Sequence, residues 1–396
     1  MTLVDIPVRR RWMTAYGLAM VGVAAGWFGP IQILLPEQAA RLAGEDGKEA
    51  LLAFVTAWGA AVSMVANPLW GILSDRIGSR RLPIFLAGTV VGIAGLLVLA
   101  GADTRSTMVI GWCLVQAGLN GPLAALAAMI GDRVPERQRG TVGAIFGVAQ
   151  IVGVVLGTAV AVAVGQGAPG YIAVAIAVPA FGAALLIMHR DGPVSRAETS
   201  KIKWSVITRP GGQFAWAWVI RFLLNLSNAL VLVYLFYYLS DSVGVADPAL
   251  WVLILTVVNV LFAGIVGGFG GVLSDKWVRR RIFVAAAAVI IAAGSTVLAL
   301  VPLTAVVIVA SALVGVGWGA YIAVDMAVIT HVLPDAETRA TMLGVANIAG
   351  TLPQLIAPVI AAPIVTGLGG YPALYLLTGG AALLALAALP RLKALP

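Results

Sequence analysis

Two charged residues stand inside runs that are otherwise apolar: Arg221 in Trp218-Val-Ile-Arg221-Phe-Leu-Leu-Asn225, and Asp325 in Trp318-Gly-Ala-Tyr321-Ile-Ala-Val-Asp325-Met326. Of 17 acidic residues, Asp325 alone lies well within an apolar span; the others fall in polar intervals, tails or span ends. An ionised group in hydrocarbon costs several kcal/mol unless it is paired, neutralised or hydrated, so each residue needs a partner or a task. Counted inward from the same side, both sit about six or seven residues deep, roughly 10 Å at the helical rise. The chemistry open to them is proton exchange at a carboxylate whose one cationic partner can come and go, or direct contact with a solute. The plainer alternative is a structural salt bridge.

Other polar residues could share that work. Asn225 and Asn228 follow Arg221 at four and seven positions, which puts all three on one helix face. Tyr321 precedes Asp325 by one turn, and Trp27, Gln32, Gln116 and Asn120 sit in other apolar runs. Aromatics, amides and one ion pair suit a neutral hydroxylated ligand such as a sugar or glycoside. Interhelical hydrogen bonding would draw on the same residue types. His189 and His331 fall at span ends, and Cys113 is the single cysteine, so neither a metal-ligand set nor a nucleophile with its base is present in the pattern. The chain is expected to be no enzyme and to need no cofactor or metal.

The elements that must position these residues are long apolar runs. With 61% hydrophobic and 11% charged residues in 396, the chain is no soluble globule, where charge is usually about a quarter. Twelve runs each supply about the 20 residues that cross a bilayer core. They cover about 12–35, 50–73, 82–101, 106–131, 140–165, 168–188, 214–240, 249–273, 282–301, 304–330, 341–366 and 371–390. The basic start Arg9-Arg10-Arg11 followed by an apolar run reads as a retained first helix, since the run is too long for a signal peptide and lacks a small-residue cleavage site. The expected organisation is an amino-terminal bundle at 1–188, a linker at 189–213 and a carboxy-terminal bundle at 214–396. With both termini in the cytoplasm, all Lys and Arg fall on that side except Arg41, Lys48 and Arg105 outside and Arg221 within the seventh run. Topology thus accounts for the net charge of +8, and no nucleic-acid partner is needed.

A repeat binds the halves together. Gly71-Ile-Leu-Ser74-Asp75-Arg76-Ile-Gly78-Ser-Arg80-Arg81 returns 200 positions later as Gly271-Val-Leu-Ser274-Asp275-Lys276-Trp-Val278-Arg279-Arg280-Arg281, with six of eleven positions identical. A membrane unit has been duplicated. The motif resembles the signature loop between the second and third helices of the major facilitator superfamily; the second copy has Val278 where the first has Gly78. That resemblance implies an all-α membrane protein with twelve transmembrane helices in two pseudo-symmetric six-helix bundles around a central cavity lined by helices 1, 4, 7 and 10. It also implies a conformational latch built from Gly71, Asp75, Arg76, Gly78, Arg80, Asp275 and Arg280, with Asp75 near the start of helix 11.

The function so implied is secondary active transport of a small polar solute, sugar or glycoside favoured, by alternating access. Arg221 and Asp325 would couple it to protons, in a monomer held in the cytoplasmic membrane with both termini cytoplasmic. The alternative is efflux of amphipathic drug-like compounds, but Cys113-Leu-Val-Gln116-Ala and Gly153-Val-Val-Leu-Gly157-Thr depart from the helix-4 and helix-5 signatures of drug–proton antiporters. Gly143, Gly147, Gly153 and Gly157 in helix 5, and Gly344, Asn347, Gly350, Thr351, Pro353, Gln354 and Pro358 in helix 11, are expected at a packed, rocking contact between halves.

Overall fold

The computed structural model describes residues 7–77, 80–165, 167–191, 212–277, 279–332 and 339–393, without the side chains of 75, 271, 272, 275, 277, 339–341, 343 and 344. Every regular element among them is helical. The long helices are α1 (Arg10–Ala43), α2 (Lys48–Arg76), α3 (Arg81–Ala100), α4 (Arg105–Arg133), α5 (Glu136–Val164), α6 (Ala168–Met188), α7 (Gly212–Val233), α8 (Pro248–Trp277), α9 (Arg280–Leu300), α10 (Thr304–His331), α11 (Arg339–Gly367) and α12 (Gly370–Ala388). Among the described residues, twelve spans are long and apolar enough to cross a membrane. Large apolar side chains such as Phe269, Val90, Ile176 and Leu384 are more than 60% exposed. Hydrocarbon around the helices accommodates them without the cost that water would impose.

The chain forms two compact units, Met1–Glu198 and Thr199–Pro396. In the first, α1 packs on α5 and α6, α2 on α4, and α3 on α4 and α6. In the second, α7 packs on α11 and α12, α8 on α10, and α9 on α10 and α12. The pairing is the same with every helix advanced by six, which is how the duplication appears in three dimensions. The opening helix of each unit also loosens near one end. In α1 a π turn occupies Pro30–Leu34, and beyond α7 the chain breaks at Tyr234 and winds through Leu235–Tyr238 into a π turn at Leu239–Val243. The first span, expected to end near 35, continues as helix to Ala43, where Gln38 is held: its amide donates to the carbonyls of Leu99 and Ala102 and accepts from the Tyr171 hydroxyl.

Helices without an aqueous hydrophobic drive between them gain most from close backbone approach. Gly88, Gly92 and Gly95 of α3 face Gly111, Gly118 and Gly121 of α4; a Cβ at Gly118 would lie 2.1 Å from the Gly92 nitrogen. In the second unit Gly315 and Gly319 of α10 press on the backbone at Asn259 and Ala263 of α8. Gly153 and Gly157 of α5 press on α1 at Val21 and Ala25, inside the first unit, so these two glycines serve packing within a bundle where a contact between halves was expected.

The end of the first unit that carries the α2–α3 turn is tied by polar contacts. Trp12 Nε1 donates to His189 Nδ1 at 3.2 Å, which leaves His189 Nε2 to carry the proton and face Asp191 Oδ1 at 3.3 Å. Asp191 accepts from the backbone N–H of Arg81 and Leu82 at the start of α3, where helix dipole and unpaired amides favour an anion. The Arg81 side chain then bridges Asp132 at 2.7 Å and Ser74 at 2.6 Å. Burial pushes the His189 imidazole below its ordinary value, and Arg133 adds to that, against the opposing pull of Asp191 and Asp132.

Two stability outcomes follow. Gly118→Ala, whose new methyl has only α3 backbone to meet, should lower the melting temperature through overpacking worth about 1–3 kcal/mol. Gly140→Ala, with no atom within 4 Å of the added carbon, should hold or raise it; equal behaviour of the two would refute the close-crossing account. Because the folded His189 binds its proton more weakly than the unfolded chain does, stability is whole above about pH 6.5 and declines as pH falls through that value. His189→Gln keeps an acceptor for Trp12 and a donor for Asp191 yet cannot titrate, so its melting temperature should fall less on acidification. Identical pH profiles for the two proteins would clear His189 of that role.

Candidate functional site

Arg221 and Asp325 meet inside the second unit. Arg221 Nη1 donates to Asp325 Oδ2 at 2.6 Å, joining the middle of α7 to α10. The two side chains are 12% and 17% exposed. Around them the apolar core gathers Ile220, Leu224, Val324, Val328 and Ala346. An α-helix carries residues at i and i+4 on one face, so Tyr321 lies one turn from Asp325 and its hydroxyl donates to Asp325 Oδ1 at 2.5 Å. Each carboxylate oxygen therefore has its own donor. Asn225, one turn along α7, donates through Nδ2 to the Arg221 carbonyl at 2.8 Å. Asn228 is half-buried one turn further on.

The guanidinium is only partly spent. Besides Asp325 it makes one long contact, Nη1 to Met326 Sδ at 3.9 Å. Its Nε is buried with no hydrogen-bond partner among the described residues. A buried donor left unmatched costs about 1–3 kcal/mol. Gly350 of α11 lies against this unspent edge: a Cβ there would stand 3.7 Å from Nη2, 3.9 Å from Nε and 4.0 Å from Asn225 Oδ1. Trp218 fastens α7 to α11 nearby by donating from Nε1 to the Val345 carbonyl at 2.9 Å.

In the first unit, the candidate residues are engaged differently. Asn120 is 3% exposed; it donates to Ser63 Oγ and the Gln116 carbonyl and accepts from Asn67. Its hydrogen-bonding capacity is used between α2 and α4. Gln32 accepts from Thr158 of α5 at 2.7 Å. Gln116 is half-buried and its stem lies beside Gly59, and Trp27 is half-buried with Nε1 unpartnered among the described residues. Ser63 and Asn67 were not anticipated from the sequence, although their i, i+4 spacing on α2 matches that of Gln116 and Asn120 on α4. Of the motif residues, Gly71 borders a cavity of about 190 Å³ with Trp70, Ser74 and Arg81, Arg76 and Arg80 are exposed, and Arg280 donates to the Ala327 carbonyl at 3.0 Å. Gly78 and the side chains of Asp75 and Asp275 lie outside the described residues. The described residues hold no cluster of three or more His, Cys, Asp or Glu that could bind a metal.

Solved structures with the same fold are transporters. The peptide transporter POT aligns with a TM-score of 0.77 at 15% identity, covering 99% of this chain and 98% of that one. A mutant form of the nucleoside transporter NupG aligns at 0.74 and 12%, covering 96% and 99%. A bacterial homologue of the human lysosomal transporter Spinster, inward-facing and occupied, aligns at 0.74 and 13%, covering 96% and 95%. Comparison with curated proteins returns no match. The sequence profile of the Major Facilitator Superfamily matches residues 15–358 and again 251–395. Duplicated helix pairing, twelve apolar spans and this profile agree: the chain is a transporter rather than an enzyme, an integral membrane protein that belongs to the Major Facilitator Superfamily.

Proposed function

We propose that this secondary transporter moves a small polar solute, of the sugar or glycoside class, by alternating access, and that Arg221 and Asp325 couple the movement to protons. The observation that carries this reading is the ion pair inside the second unit, with Tyr321 on the second carboxylate oxygen and an arginine edge left unspent. Burying two charges is repaid only when each is well bonded, and removing either strands the other. A carboxylate held this way can change its proton affinity as its surroundings open or dry, since desolvation works against the ion pair, while the other edge of the same guanidinium is open to a solute. The solute and the proton are thereby linked at one residue pair.

Location and organisation follow the charge pattern. The cytoplasmic membrane, with both termini cytoplasmic, fits the distribution of Lys and Arg. A bundle at 1–188 and another at 214–396, joined by a linker at 189–213, make a monomer sufficient for the cycle.

Asp325→Asn supplies the test. In proteoliposomes under an imposed pH gradient, wild type should concentrate its solute from a panel of labelled sugars and methyl glycosides. Asp325→Asn should only equilibrate it, while exchange of solute across the membrane persists because exchange needs no net proton movement. Accumulation against a gradient by Asp325→Asn would remove Asp325 from coupling and leave the pair structural.

A further inference from the structure

The unspent edge of Arg221 has a direction and a complement. Nη1 serves Asp325, which turns Nε and Nη2, the two parallel donors on the other side of the planar fork, toward α11. Nε is buried and unpartnered among the described residues, and Nη2 shares no hydrogen bond with them. On α11 the residue facing that edge is Gly350, the one residue type that places no side chain there. Asn225 Oδ1 borders the same spot, and because Asn225 donates to the Arg221 carbonyl through Nδ2, its oxygen is turned to accept. Two donors and one acceptor therefore converge within 4.0 Å of where a Gly350 Cβ would stand.

Resting on the reading of this pair as the solute and proton site, we propose that the solute docks through a vicinal diol. Its adjacent oxygens accept from Arg221 Nε–H and Nη2–H across Gly350, and one hydroxyl donates to Asn225 Oδ1. Two features select a diol over a carboxylate, the other group with paired oxygens that fits an arginine fork. The guanidinium already faces Asp325, so a neutral ligand keeps the enclosed charge balanced where a second carboxylate would leave a net negative charge in an apolar core. A carboxylate also has no proton to give Asn225, whereas each hydroxyl both accepts and donates. Engagement of both fork donors would also relieve the buried Nε, which has no other partner among the described residues.

The test uses the purified full chain and matched probes: ribose and methyl glucoside, then vicinal cyclohexanediol, cyclohexanol and cyclohexanecarboxylate. Binding is read by thermal shift and by titration calorimetry on wild type, Gly350→Ala and Arg221→Lys. The added methyl of Gly350→Ala makes ordinary contacts with Arg221 and Asn225, so the free protein should keep its melting temperature while occupying the docking space. Arg221→Lys keeps a cation for Asp325 but loses the fork. The expected result is stabilisation by diol compounds and not by cyclohexanol, with affinity reduced on the order of tenfold or more in each variant, as for a site built to bond a hydroxyl. Binding of the carboxylate in place of diols, diol binding indifferent to Gly350→Ala, or binding of no probe would overturn the proposal. The transport reading stands or falls separately: a solute concentrated in an Asp325-dependent manner but lacking a vicinal diol sinks the diol assignment alone, while loss of Asp325 dependence sinks the coupling reading.

Discussion

One ion pair buried in an apolar helical unit constrains everything around it. Arg221 and Asp325 cannot be there as isolated charges, because desolvation would exceed any packing gain; together, at 2.6 Å and with Tyr321 on the remaining carboxylate oxygen, they are tolerated. The pair needs α7 and α10 in a fixed register, so the packing of that unit is also the positioning of its chemistry. Each carboxylate oxygen has a donor while the arginine Nε has no partner among the described residues, and that imbalance leaves the guanidinium with donors to spare for a third partner.

Glycine sets the closest helix crossings in both units. Where α3 meets α4, and where α10 meets α8, backbones touch with no side chain between them. Van der Waals contact at that range drives helix association in lipid, where apolar side chains gain nothing by leaving their solvent. The same set of helix pairs recurs in both units, and close contacts recur with it at an offset of 199: Gly95 on Gly111 and Val115 returns as Gly294 on Ala310 and Val314, and Gly118 on Gly88 and Gly92 returns as Gly317 on Ala287 and Ile291, while Gly315 and Gly319 press on α8. Duplication has kept the pairing and, where α3 meets α4 and α9 meets α10, the close contacts themselves.

Much of this was legible in the sequence. Twelve spans, the repeat at 71 and 271, and the isolation of Arg221 and Asp325 are all one-dimensional signals: run length, identity at fixed offset, and a charge where hydrocarbon should be. The depth count brought the pair together because a helix rises by a constant amount per residue. Other features depend on partners that no period records. Asn120 reads as a cavity residue until Ser63 and Asn67 of α2 are seen to use it. His189 reads as an incidental helix end until Trp12, from the other end of the unit's sequence, donates to it and Asp191 caps α3. Gly350 has the composition of a packing residue, and its relation to the Arg221 edge arises from the rotation of α11 about its own axis, which its three internal prolines leave unreadable from periodicity.

The two units also divide the chemistry unequally. At the motif's offset of 200 Arg221 and Asn225 correspond to Val21 and Ala25, and at the offset of 199 that relates the contacts of α4 to those of α10 Tyr321 and Asp325 correspond to Pro122 and Leu126, all of them apolar and buried. The first unit spends its buried amides on itself, in the Asn67–Asn120–Ser63 and Gln38–Tyr171 contacts, and so rigidifies. The second carries the charge pair and a guanidinium edge without a partner among the described residues; the first keeps unmatched buried donors too, at Trp27 and Trp112 Nε1, but no buried Arg–Asp pair among the residues that correspond to these. A buried network that is complete holds a shape, whereas one that lacks a partner holds a capacity to bind. The buried charge pair, laid over identical helix pairing, is what supports the proposal of solute recognition on the α7, α10 and α11 side of the duplication, with the amide contacts of α2 and α4 tying those helices together.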